Sequence, residues 1–142
     1  MTQPALRTAA IELTIPFHDL DPVNIVWHGN YAKYFELARC ELLEQFNYNY
    51  DEMRKSGYIW PIIDLHVRYI KPLQFKQRIK VQATLKEWEY RLKIDYLISD
   101  VTTGTRLAKG SSMQVAVDSH SKEMCLMSPR IVFERLGLEY PV

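Results

Sequence analysis

Two carboxylates one residue apart, Asp19 and Asp21, stand just ahead of a stretch patterned as a helix. Pro22 restricts Asp21 to an extended backbone, so the two side chains should project differently. A helix N-terminus a few residues on offers unpaired N–H groups and about half a positive charge. Such donors can hold the developing oxyanion of an acyl transfer while a nearby carboxylate attacks the carbonyl or activates water. The plainer reading is a turn at Asp-Leu-Asp-Pro, a hydrogen-bonded loop residue at His28 and a solvated helix position at Glu36, and local physics alone favours it. Other chemistries lack their marks. His18, His28, His66 and His120 show no zinc-ligand spacing, so no metal is expected, and the chain has neither a glycine-rich phosphate loop nor a G-x-S-x-G elbow.

The helix that must position these groups starts at Asn30, a plausible N-cap preceded by Gly29, and runs uninterrupted to Phe46. Tyr31, Phe35, Ala38, Leu42 and Phe46 fall on one face. Ala32, Tyr34, Leu37, Cys40 and Leu43 carry apolar character around much of the rest, which predicts a helix wrapped by other elements. Residues 1–10 read as a frayed terminus and Ile11 to Phe17 as a first strand that, given Pro16, lies at a sheet edge or ends there. After a loop around NYNYDEMRKSG, strands are expected at Ile62 to Ile70, Ile79 to Trp88, Leu92 to Ser99 and Leu107 to Val117, with a closing helix over Pro129 to Leu136. Short connections favour an antiparallel meander or hairpin series over parallel pairing. The architecture predicted is α+β, about five antiparallel strands curled around one central helix, with 1–142 as one domain. The open sheet edges predict a homodimer or homotetramer.

Composition narrows the partners. An apolar content of 47% suits one core, and 18 basic against 17 acidic residues leave no broad basic surface for nucleic acid. No apolar run approaches the ~20 residues that span a bilayer, and the first residues lack the apolar segment of a signal peptide, so a soluble, cytoplasmic protein is expected. Cys40 and Cys125 read as reduced packing residues.

The stretch FHDLDPVNIVWHGNYAKYFELAR closely resembles the signature of the 4-hydroxybenzoyl-CoA thioesterase-like hotdog family, D-x-D-x-x-G-x-V-x-[HY]-x-N-Y followed by an aromatic-rich helix. Arg68-Tyr69-Ile70-Lys71-Pro72, Lys86-Glu87-Trp88 and Ala108-Lys109-Gly110 to Val117-Asp118 are similar to the family's later strand motifs, so the resemblance spans nearly the whole chain. It implies a hotdog fold and an acyl thioesterase that uses no cofactor. The catalytic carboxylate maps onto Asp21, and the backbone N–H that polarises the thioester carbonyl onto His28. Tyr31 and Glu36 match positions that shape or support the site.

Two positions depart from the family pattern. Asn24 replaces the usual glycine, and asparagine enters left-handed backbone more readily than most residues. After Lys86-Glu87-Trp88, where the 4-hydroxybenzoyl enzyme carries consecutive basic residues for the CoA phosphates, this chain has Glu89-Tyr90-Arg91, and Arg91 alone is basic. Trp27, Trp60, Tyr31 and Phe35 could line an aromatic pocket or fill the core. The expected activity is hydrolysis of an acyl-CoA or acyl-carrier-protein thioester to acid and thiol, with Asp21 as nucleophile or general base. The rivals are a hotdog 3-hydroxyacyl-carrier dehydratase and a non-catalytic acyl-binding module.

Overall fold

A computed structural model describes residues 7–141. In chain order the elements are β1 (Thr8–Thr14), α1 (Tyr31–Gln45), α2 (Tyr50–Lys55), β2 (Tyr58–Ile59), β3 (Ile62–Tyr69), β4 (Arg78–Glu87), β5 (Leu92–Asp100), β6 (Arg106–Gln114), β7 (Val117–Asp118) and α3 (Arg130–Leu136). Five strands form one antiparallel sheet in the order β1-β4-β5-β6-β3, and β2 pairs with β7 in a small second sheet. This is the hotdog arrangement, with the sheet curved around α1. Among the described residues no helix is long and apolar enough to cross a membrane.

Alternation in the strands decides which face meets the helix. Ile79, Val81, Ala83 and Leu85 of β4 and Leu92, Ile94, Tyr96 and Ile98 of β5 are buried, while their neighbours face outward. Against them α1 lays Tyr31, Tyr34, Phe35, Ala38, Leu42 and Leu43, the i, i+3, i+4, i+7 set of one face. Phe35 stacks on Tyr96 with ring centroids 4.4 Å apart. Gly110 makes room for that stack, because a Cβ there would stand 2.6 Å from the Phe35 ring and 2.2 Å from the His66 carbonyl oxygen. Arg39 is buried on the same face. Its Nε donates to the Tyr50 hydroxyl at 2.8 Å and its guanidinium also donates to the Tyr96 hydroxyl at 3.1 Å.

Five local expectations are corrected. Residues 1–6 lie outside the described set, but from Thr8 the chain is already paired residue by residue with β4, which overrides the small-residue composition there. The opening strand therefore ends at Thr14, and Phe17–Asp19 is a 3-10 turn. Asn30 does not cap α1 with its side chain; its Nδ2 donates instead to the Asp19 carbonyl at 2.9 Å. The helix is covered on one side only, since Leu37 on the other is 48% exposed. Finally, β3 does not neighbour β4. It pairs with β6 at the far edge, so residues 70–77 cross from one side of the sheet to the other, and the buried Leu73 anchors that crossing.

Candidate active site

The loop carrying Asp21 is fastened at both ends. Asp21 N–H donates to the Ile25 carbonyl at 2.8 Å, Asn24 N–H donates to the Asp21 carbonyl at 3.0 Å, and Leu20 bridges Val26. The tight turn needs a left-handed residue, and Asn24 fills it with φ of 65°. Asp21 Oδ1 accepts from Val23 N–H at 2.9 Å and more distantly from Ile25 N–H at 3.4 Å, so the carboxylate is oriented by its own loop. The crossing chain then clamps the loop from outside: Val26 N–H donates to the Leu73 carbonyl at 2.9 Å and Ile25 bridges Gln74.

Asp19 and Asp21 project differently. Asp19 is 3% exposed and turned toward α1, where Lys33 Nζ lies 2.8 Å and the Tyr34 hydroxyl 2.6 Å from its oxygens. Burial acts to raise its pKa, but those two hydrogen bonds and the Lys33 charge outweigh it and hold the carboxyl below its ordinary value. Its carbonyl also accepts from Trp27 N–H at 3.0 Å. Asp19 thus fixes the loop to the helix.

Asp21 lies on a cavity of about 290 Å³ with Ile25, Val26, His28, Tyr31, Tyr69, Ile70, Lys71 and Pro72. The His28–Asn30 segment is a 3-10 turn that leads straight into α1, and among the described residues no acceptor pairs with the N–H of His28 or Gly29. These are the orphan donors of a helix start. The Trp27 ring lies over Gly29, 2.2 Å from where a Cβ would stand, so a side chain at 29 would have to turn the half-exposed indole aside. Burial raises the Tyr31 hydroxyl pKa, so the phenol stays neutral beside the cavity. A larger hollow of about 510 Å³ lies between the β4–β5 hairpin and the C-terminal segment. It presents Lys86, Glu87, Glu89 and Glu139 without a helix start facing them, so the smaller cavity is the candidate site.

Of the residues expected from sequence, Asp21, His28 and Tyr31 come together on one cavity wall. Asn24 supports the loop behind Asp21, and Trp27 is half exposed over Gly29 with its ring 5.1 Å from that of His28. Three others stand apart. Glu36 is on the solvent side of α1, 3.6 Å from Arg39; Trp60 is buried, with Nε1–H donating to the Tyr48 hydroxyl at 3.2 Å; and Arg91 is 3.2 Å from Glu87. Sequence reasoning did not tie Tyr69, Ile70, Lys71 and Pro72 to the site. Tyr69 ends β3 and the other three open the crossing segment, some 40 residues away in sequence, and Pro72 marked the end of the strand pattern without showing where the chain goes next.

The five-stranded antiparallel sheet curved around one long helix, with the Asp21 loop leading into the start of that helix, is a hotdog fold. The chain belongs to the Thioesterase-like superfamily, whose family model matches residues 15–132. YneP of Bacillus subtilis, which bears the name putative acyl-CoA thioesterase, is 26% identical over 111 residues, 78% of this chain and 80% of that protein. The acyl-acyl carrier protein thioesterase ATL3 of Arabidopsis thaliana is 26% identical over 110 residues, 77% of this chain and 58% of that protein. The DHNA-CoA thioesterase structure from Staphylococcus aureus superposes with a TM-score of 0.77 at 25% identity, covering 84% of this chain and 80% of that one. Membership sets the class: the chain is a thioester hydrolase.

Proposed function

We propose that this protein hydrolyses acyl thioesters carried on coenzyme A or on acyl carrier protein, with Asp21 as the reacting carboxylate. The observation that carries the reading is the placement of Asp21 on one cavity with the start of the His28–Asn30 turn. Donors there are suited to charge developing on a thioester oxygen, and the carboxylate attacks the carbonyl carbon or takes a proton from water that does. Direct attack expels the thiolate and leaves a mixed anhydride on Asp21 that water then cleaves to the free acid, whereas attack by the activated water expels the thiolate and gives the acid directly; in both the thiolate takes up a proton to leave as thiol. The walls Ile25, Val26, Tyr31 and Ile70 are apolar or aromatic and suit an acyl group that leaves water. Thiol release from a panel of aromatic, short-chain and long-chain thioesters on both carriers tests it; no release from any member would remove the assignment.

The carrier-protein thioester is used at least as well as the matching CoA thioester. Arg91, the one basic side chain kept after Lys86-Glu87-Trp88, is engaged with Glu87 at 3.2 Å, and in the hollow beside it Glu87, Glu89 and Glu139 outnumber the single cation Lys86. Such carboxylates oppose the CoA phosphates. Comparing kcat/KM for one acyl group on the two carriers, with and without Glu89→Arg, decides the point. A strong CoA preference untouched by the substitution would contradict it.

The functional unit is proposed to be a homodimer or homotetramer. Strand β3 is an edge along which Ile62, Ile63 and Leu65 are exposed, an apolar border of the kind a second copy covers.

A further inference from the structure

Tyr69 is the last residue of β3, and its hydroxyl donates to the His28 carbonyl oxygen at 2.9 Å, across 41 residues of sequence. Its ring meets that of Tyr31 edge-on, with centroids 4.7 Å apart, and Tyr31 is itself buried. Tyr69, Tyr31, His28 and Asp21 all line one cavity. The acceptor lies in the turn that opens α1, and that turn has no other side-chain tie to the sheet among the described residues.

The covalent geometry makes this contact consequential. A peptide unit is planar and trans, so fixing the His28 C=O also fixes the Gly29 N–H, which belongs to the same unit and points the opposite way. Two backbone angles at His28 then separate that unit from the His28 N–H. Donation to the carbonyl oxygen polarises the peptide and strengthens its N–H as a donor.

Resting on the assignment of Asp21 and the helix start as the hydrolytic site, we propose that Tyr69 is a positioning residue for thioester hydrolysis: it holds the His28–Gly29 peptide and thereby steadies the His28 backbone, whose own N–H faces the thioester carbonyl beside Asp21.

The test uses the full chain and a thioester it turns over. Tyr69→Phe should lower kcat about tenfold, less than the hundredfold or more lost with a whole oxyanion donor, while KM stays within about twofold. The amide resonance of Gly29 should move in Tyr69→Phe, and in the opposite sense when 3-fluorotyrosine, a stronger donor of the same shape, stands at 69 and remains protonated. A kcat within twofold of the parent, a loss carried by KM alone, or a Gly29 resonance unmoved by either change would overturn the role of Tyr69. The parallel variant Asp21→Asn separates this from the assignment below it. Parental turnover in Asp21→Asn overturns the site, whereas an inactive Asp21→Asn beside an unaffected Tyr69→Phe overturns Tyr69 alone.

Discussion

At the scale of the residue, the Asp-x-Asp pair divides its labour by burial. Asp19 is enclosed and satisfied by Lys33 and Tyr34, whereas Asp21 is partly open to the cavity and is held by backbone N–H groups of its own loop. Hydrogen bonds to a charged group contribute about 1.5 to 3 kcal/mol, so Asp19→Asn should destabilise the protein by an amount in that range at neutral pH. The pH dependence has a definite sign. The folded-state pKa of Asp19 lies below its unfolded value, so its contribution is present above the unfolded value and is lost as pH falls through the folded one. Denaturant unfolding across the acid range should show a shallower loss of stability in Asp19→Asn than in the parent, and parallel curves would contradict this. Asp21, His28 and Tyr31 were grouped through the family resemblance of a contiguous loop and helix start, since local physics alone favoured a plain turn there. Trp60 was not, because nothing local distinguishes an indole at a pocket from one donating to a buried tyrosine.

At the scale of the element, packing depends on one position without a side chain. Gly110 lies in β6 opposite Tyr96 and Val67, and the carbonyl oxygen of His66 would be 2.2 Å from an added Cβ. Backbone of a paired strand gives way poorly, so Gly110→Ala should cost about 1 to 3 kcal/mol, with the Phe35–Tyr96 stack disturbed. The midpoint of denaturant unfolding reads it; an unchanged midpoint would show that the sheet yields there at no cost. Alternation and turn residues made β4, β5 and β6 legible within a residue or two at most ends. The exception is the end of β6 at Gln114, three residues short of the expected Val117, which belongs to β7. The order of the strands was not legible, because the eight residues 70–77 satisfy a hairpin and a crossing alike until Leu73 is known to be buried and Val26 to be paired with it.

At the scale of the whole molecule, the sheet ends in β3, whose Ile63 and Leu65 are 55% and 43% exposed and whose last residue reaches the site. If a second copy covers this edge, the double variant Ile63→Lys, Leu65→Lys places four like charges across a symmetric contact and should sediment as a monomer with reduced thioesterase activity. A parent protein that is already monomeric and fully active at low concentration would contradict the assembly. Sequence could announce an open edge from the strand count, but β3 becomes that edge only because the crossing carries the chain to the opposite side of the sheet before β4 begins. The cavity, the helix start and the clamped loop all converge on one carboxylate, and steady-state turnover of Asp21→Asn measures its role most directly. The substitution is nearly isosteric, so the unfolding midpoint should stay near the parent's while kcat falls at least about a hundredfold. Near-parental thioester hydrolysis by the folded variant would contradict the account.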